Sequence, residues 1–122
     1  MSGVASPAIQ RLHVGPRLSE VAIHRGTVYL AGQVADDATL DIEGQTRQVL
    51  AHVDRLLQEA GSARGLILMC QIYLADLADF GGMNAVWDTW VEAGHTPPRA
   101  TVQAVLADPG WRIEVVVVAA QA

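Results

Sequence analysis

Two charged side chains in the last quarter of the chain, Arg99 and Glu114, are the strongest candidates for chemistry. Arg99 follows a Thr-Pro-Pro segment, residues 96–98, in which two consecutive prolines fix the backbone φ angles. A guanidinium that follows such a rigid backbone segment loses little entropy when it forms two hydrogen bonds to a carboxylate. Glu114 stands between Ile113 and Val115, and a carboxylate among apolar residues is costly unless it is paired or used.

The segment between these two residues predicts that they lie on neighbouring strands. Residues 108–110, Asp-Pro-Gly, are typical of a turn and would join a strand at 99–107 to a strand at 111–120. Two interpretations follow from the residues alone. Arg99 and Glu114 form a structural cross-strand ion pair, which the pattern favours, or they bind and act on a ligand.

The cysteine and the histidines carry weaker signals. Cys70 lies within the apolar segment 66–74, where a thiol is typically a small buried hydrophobic group and not a nucleophile. The four histidines are scattered and lack the spacing of metal ligands. His52 is expected on the solvated side of a helix. His95, in a loop beside two prolines, either approaches a pocket or is an ordinary loop residue.

Two tryptophans, Trp87 and Trp90, are three residues apart on a predicted helix. They either line a ligand site or, as this spacing favours, belong to the core or to an interface. The chain has no Gly-rich phosphate loop and no Gly-x-Ser-x-Gly segment, so nucleotide binding and serine-hydrolase chemistry are not indicated.

The composition excludes several classes of protein. A length of 122 residues, 51% apolar and 17% charged, predicts a single globular domain over residues 1–122. The net charge of −5, with Arg as the only basic residue type, argues against a nonspecific nucleic-acid partner. A single cysteine excludes an internal disulfide and a cysteine-based zinc site. Residues 1–7 lack signal-peptide features and no run approaches a membrane span, so we expect a cytoplasmic protein without a membrane partner.

The hydrophobic patterns predict the element order β-β-β-α-β-α-β-β. Apolar residues every three or four positions indicate a helix over 42–60, with acidic residues at its start and Gly61 just past its end. A second helix is predicted over 77–93, ending at Gly94. The predicted strands are 9–14, 21–24, 28–31, 66–74, 99–107 and 111–120, the second and third forming a hairpin around residues 25–27.

This order predicts an α+β fold with both helices packed on one face of a mixed sheet. The last strand is apolar at both alternating positions from Val115 to Val118, so both of its faces need cover. Two helices cover only one face, and another subunit is the expected cover for the other. The alternative is a partly exposed valine face.

Three short segments stand out between Phe80 and Ala120: Met-Asn-Ala at 83–85, Pro-Arg-Ala-Thr-Val at 98–102 and Ile-Glu-Val at 113–115. With these segments, the stretch resembles the C-terminal half of the RidA (YjgF) family of reactive-intermediate imine deaminases. Upstream, Tyr-Leu-Ala-Gly-Gln at 29–33 is similar to the family's strand ending in Ser-Gly-Gln, and Gly-Pro at 15–16 to its Gly-Pro. The likeness keeps order and spacing over nearly the whole chain.

This resemblance implies a chorismate-mutase-like fold assembled as a homotrimer, with a ligand cleft at each subunit interface. It implies that Arg99 grips the carboxylate of a small 2-imino or enamine acid, and that Glu114 places the water that hydrolyses it to a 2-oxo acid and ammonia. Gly32, Asn84 and the backbone of Thr101 would shape the site. No metal or organic cofactor is implied.

Two positions depart from the usual family pattern. Arg17 stands where the family has Tyr, and Ala31 where it has Ser; the segments 17–20 and 85–95 resemble the YoaB-type branch. Arg17 either adds a second cation, suiting a larger or more acidic ligand, or is an ordinary surface arginine. The functional alternatives are an imine deaminase and a non-catalytic module that binds a 2-oxo acid. Endoribonuclease activity, reported for some relatives, fits the acidic charge poorly.

Overall fold

The protein is described by a computed structural model over residues 8–122, and its elements follow the predicted order. The strands are β1 (Gln10–Val14), β2 (Ser19–His24), β3 (Thr27–Leu30), β4 (Ile67–Leu74), β5 (Arg99–Gln103) and β6 (Ile113–Ala120). The helices are α1 (Ile42–Glu59) and α2 (Phe80–Trp90), with single 3₁₀ turns at Arg64–Leu66 and Leu77–Asp79. The prediction about a signal peptide concerns residues 1–7, which lie outside the described residues.

The strands form one mixed sheet in the order β1-β2-β3-β6-β4-β5. β4 and β5 are parallel and joined through α2, while the other neighbouring pairs are antiparallel. The prediction that the last two strands are neighbours is therefore wrong, because β4 lies between them. A strand-helix-strand crossover places β5 beside β4, and residues 104–112 return the chain to the other side of β4.

The predicted hairpin is confirmed and comprises β2 and β3. His24 pairs with Thr27, so only Arg25 and Gly26 form the turn. Both have positive φ, 52° and 78°, as required by the two-residue turn whose twist matches that of the strands. Glycine adopts this conformation without cost, whereas Arg25 does so with steric strain.

The first helix matches its prediction and the second is shorter. Asp41 caps α1 by accepting a hydrogen bond from the Gly44 amide at 2.8 Å, and Gly61 follows the helix with a φ of 76°. The predicted helix over 77–93 is confirmed only over Phe80–Trp90. It ends early because Val91 is extended, with φ −65° and ψ 142°.

Both helices pack on one face of the sheet, as predicted. Along β6, Val115 and Val117 are buried beneath the helices, whereas Val116 and Val118 point to the opposite face and are half-buried. Tyr29 and Val102 on this open face are 48% and 45% exposed. The open face therefore carries a group of exposed or half-buried apolar side chains. Within residues 8–122, no helix combines the length and apolar character needed to cross a bilayer.

Candidate functional site

Arg99 lies at the start of β5 on the helix-covered face, where it pairs with the buried Cys70 of β4. Its Nη1 donates a hydrogen bond to Asn84 Oδ1 at 2.8 Å. The guanidinium carbon lies 5.0 Å from the ring centroid of Trp87 and 5.7 Å from that of Phe80. An amide and two aromatic rings therefore orient a half-buried cation.

The residues around Arg99 come from one face of α2. Phe80, Asn84 and Trp87 are spaced four and three positions apart, so they share a helical face. The backbone just before Arg99 is fixed as well, because the Cys70 amide donates a hydrogen bond to the Pro98 carbonyl at 3.0 Å. Asn84 was expected at the site from the sequence, and a ligand-site role was left open for Trp87. Neither Trp87 nor Phe80 was expected to contact Arg99, although their spacing relative to Asn84 would have indicated it.

No carboxylate of the described chain pairs with Arg99. Arg47, Arg55, Arg64 and Arg112, in contrast, each form an ion pair with an Asp or Glu. A half-buried cation that is held only by neutral groups retains its capacity to bind an anion. The geometry therefore suits the carboxylate of a small ligand.

Glu114 lies on the open face of the sheet. It pairs with Tyr73 of β4 and is half-buried. Its carboxyl group lies against Gly32, where a Cβ atom would come within 2.9 Å of the Glu114 carboxyl carbon. Gly32 is required here because any side chain would occupy the space of the carboxylate.

The predicted structural ion pair between Arg99 and Glu114 is wrong. Their partners on β4, Cys70 and Tyr73, are three residues apart, so they project to opposite faces of the sheet. β4 also separates the strands that carry the two charges. Arg99 and Glu114 are thus brought together neither as a pair nor as one site within a single chain.

The other candidate residues lie near one or other of these two positions. The register of β2 and β3 places Ala31 opposite Glu20, to which it donates a backbone hydrogen bond of 2.9 Å. Arg17 is exposed in the turn before β2, at the end of the sheet where Ala31 follows β3. Thr101 lies two residues after Arg99 on β5 and is half-buried.

The weaker candidates are also located. Cys70 is 1% exposed, and burial raises the pKa of its thiol to about 12, so the thiolate is not populated near neutral pH. His95 is exposed, whereas His52 is only partly exposed and contacts Asp36 at 3.1 Å. Trp87 is buried, as the core interpretation required, and it also contacts Arg99. No cluster of metal-ligating side chains occurs within residues 8–122.

Comparison with known proteins adds the decisive observation. A family model described as endoribonuclease L-PSP matches residues 8–121. The chain is 46% identical over 112 residues to a RutC family protein of Haemophilus ducreyi, covering 92% of this chain and 96% of that protein. It is 44% identical over 112 residues to the RutC family protein YoaB of Escherichia coli, covering 92% and 97%. This chain belongs to the RidA (YjgF) family.

The solved structures agree with the RidA family assignment. A member of the YjgF protein family from Neisseria meningitidis superposes with a TM-score of 0.93 at 41% identity, covering 97% of this chain and 98% of that one. A mouse protein named 2-iminobutanoate/2-iminopropanoate deaminase is 29% identical over 114 residues, covering 88% of this chain and 83% of that protein. The resemblance to the RidA family, including its YoaB-type branch, is thus confirmed.

Proposed function

We propose that this protein hydrolyses small 2-imino or enamine acids to 2-oxo acids and ammonia, as a cytoplasmic homotrimer. The observation that carries the proposal is Arg99, a half-buried cation that is oriented by neutral groups and has no carboxylate partner among the described residues. The name of the mouse relative supports the reaction class.

Arg99 binds the carboxylate of the substrate through two charge-assisted hydrogen bonds. Such a contact contributes about 1.5–3 kcal/mol when it is shielded from water. Asn84 and Trp87 limit the rotation of the guanidinium before the ligand arrives, which lowers the entropy lost on binding. Thr101 lies two residues after Arg99 on β5, and in this proposal its backbone shapes the same position.

A second subunit completes the site. Arg99 and Glu114 project from opposite faces of the sheet, so one substrate meets both only if Glu114 belongs to a neighbouring copy. The open face that carries Glu114 also carries Val116, Val118 and Tyr29, and these apolar side chains suit burial against another subunit. A closed ring of three copies gives three equivalent sites.

The chemistry requires orientation more than a strong nucleophile, because the carbon of a protonated imine is already electrophilic. Glu114 accepts a hydrogen bond from a water molecule and takes its proton as the water oxygen adds to that carbon. Glu114 passes this proton to the nitrogen, and as the carbon–nitrogen bond breaks its carboxylate takes the proton of the remaining hydroxyl group. Ammonia leaves as the 2-oxo acid forms, and the proton held by Glu114 converts it to ammonium. Positioned proton transfer of this kind typically contributes about 10²–10⁴-fold.

Two further residues set the choice of substrate. Ala31 has no hydroxyl group, so this position beside Gly32 offers a substrate only backbone groups and a methyl group. Arg17, exposed at the same end of the sheet, supplies a second positive charge that favours a larger or more acidic substrate.

The test couples an amino-acid oxidase, which generates 2-imino acids, to semicarbazide trapping with and without this protein. Faster loss of imine is expected with the wild type, and none beyond background with Arg99→Ala. The matched control is Arg47→Ala, which removes an exposed arginine paired with Glu43 on α1. It should retain wild-type activity.

The outcomes separate the proposal from its alternative. Wild-type rates in Arg99→Ala would overturn the role of Arg99. Saturable binding of a 2-oxo acid without acceleration of imine loss, across a panel of acidic and neutral substrates, would indicate a non-catalytic binding module.

A further inference from the structure

A buried glutamine lies behind the Glu114 half of the proposed site. Gln33 is only 5% exposed, and its Nε2 donates two hydrogen bonds of 2.9 Å, one to Glu20 Oε2 and one to the Ala31 carbonyl. A buried amide is costly to desolvate, so these bonds are needed to hold it. Neither Glu20 nor Gln33 belongs to the substrate-contacting groups described above.

The backbone of Gln33 is bonded to the strand that carries Glu114. Its N–H donates to the Val115 carbonyl at 2.8 Å, and its carbonyl accepts from the Val115 N–H at 3.0 Å. The preceding residue, Gly32, lies directly against the Glu114 carboxyl group. Any movement of residues 31–33 therefore changes the surface on which the Glu114 carboxylate rests.

Glu20 holds the other side of this segment at two points. Its carbonyl accepts from the Ala31 N–H at 2.9 Å, and its carboxylate accepts from the Gln33 side chain. A hydrogen bond to an ionised acceptor is about twice as strong as one between neutral groups. Residues 31–33 are thus fixed to β2 by Glu20 and to β6 by Val115.

We infer that Glu20 is a positioning residue for Glu114, acting through Gln33 and the backbone of Ala31 and Gly32. This inference rests on the proposed function for its kinetic consequence. Glu20 does not exchange protons with the substrate; it supplies the acceptor that keeps Gln33, and with it the Gly32 surface, in place.

Kinetic tests use Glu20→Ala, which removes the acceptor, and Glu20→Gln, which keeps an acceptor oxygen without the charge. Glu20→Ala should lower kcat by about 10- to 100-fold through misplacement of Glu114. KM should change by less than about twofold, because Arg99 lies on the other face of the sheet and is untouched. Glu20→Gln should retain most of the activity and the pH profile of the wild type. If Glu20→Ala does not fold, Glu20→Met keeps the volume and takes its place.

A double-mutant cycle with Glu114→Gln tests the connection between the two glutamates. If Glu20 acts only through Glu114, then Glu20→Ala should cause no further loss of kcat in the Glu114→Gln background. Equal losses in both backgrounds would overturn the inference. So would a Glu20→Gln variant that loses a limb of the pH profile, because Glu20 would then be an acid–base group.

Hydrogen exchange tests the positioning independently of any turnover. Glu20→Ala should accelerate exchange of the Gln33 amide about tenfold relative to the Val117 amide in the centre of the sheet. Glu20→Gln should not. Unchanged exchange in Glu20→Ala would contradict the inference even in an active enzyme, whereas an inactive wild type would contradict the proposed function alone.

Discussion

Arg99 and Glu114 face away from each other across one sheet, with β4 between the strands that carry them. An ion pair within the chain would have neutralised both groups and left neither for a ligand. Their separation leaves Arg99 with neutral partners and Glu114 against Gly32. Under the proposed function, each group is therefore half of a site that a second copy completes.

Mixed oligomers test this arrangement directly. Arg99→Ala alone should be inactive, and Glu114→Gln alone should retain only a residual rate, about 10²- to 10⁴-fold below wild type. After they are unfolded together in equal amounts and refolded, about a quarter of the interfaces should combine an intact Arg99 with an intact Glu114, restoring about a quarter of wild-type activity. Imine-loss assays on the mixture measure this fraction. Light scattering of each variant provides the control, since both should remain trimers. A mixture as inactive as its components would contradict a shared site.

Asn84 should control how well Arg99 binds a carboxylate. Asn84→Ala removes the acceptor 2.8 Å from Nη1 and should weaken binding of a stable 2-oxo acid by about tenfold. Asn84→Asp should weaken binding more, because a carboxylate at that position pairs with the guanidinium and competes with the ligand. Calorimetric titration with pyruvate measures both effects. Tighter binding by Asn84→Asp than by Asn84→Ala would show that Asn84 does not act through Arg99.

A pair of glycine substitutions separates damage to the site from damage to the fold. Gly32→Ala places a Cβ atom 2.9 Å from the Glu114 carboxyl carbon, so it should displace the carboxylate and lower kcat by about 10- to 100-fold. Gly26→Ala meets no atom within 4 Å but strains a backbone with a φ of 78°. It should cost about 1–2 kcal/mol of stability and leave kcat unchanged. Thermal melts and imine-loss kinetics on both variants give the comparison. A reversed pattern would contradict the role of Gly32.

Cys70 should make stability fall in alkaline solution. Burial raises the pKa of its thiol from about 9 to about 12. The unfolded chain therefore loses this proton at a lower pH than the folded chain, and the free energy of unfolding decreases as the pH rises above 9. Denaturant titrations between pH 8 and pH 10.5, which cover the lower part of the window between these two pKa values, should show a shallower decline for Cys70→Ala than for the wild type. Identical slopes would indicate that the thiol ionises equally in both states.

The local patterns of this sequence predicted local structure well. Three local features lie where expected: the apolar stripe along α1, the capping residue Asp41 and the turn at Gly26. Each of them depends on residues that are close together in the chain. The sequence placed the end of α2 just before Gly94, whereas the helix ends at Trp90. Both Val91 and Gly94 are compatible with a helix end, so neither residue identified the true one.

Strand order and the site depended on contacts that no local pattern encodes. The Asp-Pro-Gly segment at 108–110 suggested a hairpin, but the crossover through α2 places β5 beside β4 and leaves β6 on the far side. The apolar character of β6 at both alternating positions concerns the two faces of the sheet, so it did not reveal that β3 and β4 are its neighbours. Resemblance to a family drew attention to Arg99 and Glu114 together, whereas the residues alone suggested an ion pair.

The stacking of Arg99 on Trp87, at 5.0 Å, gives the protein an intrinsic optical probe. Indole emission responds to the electric field of a nearby charge, and a bound carboxylate would change the field that Arg99 exerts on the ring. The chain contains only two other tryptophans, Trp90 and Trp111. Replacing both with Phe would leave a single fluorophore beside the guanidinium, so ligand arrival could be followed by stopped-flow fluorescence with no substrate turned over.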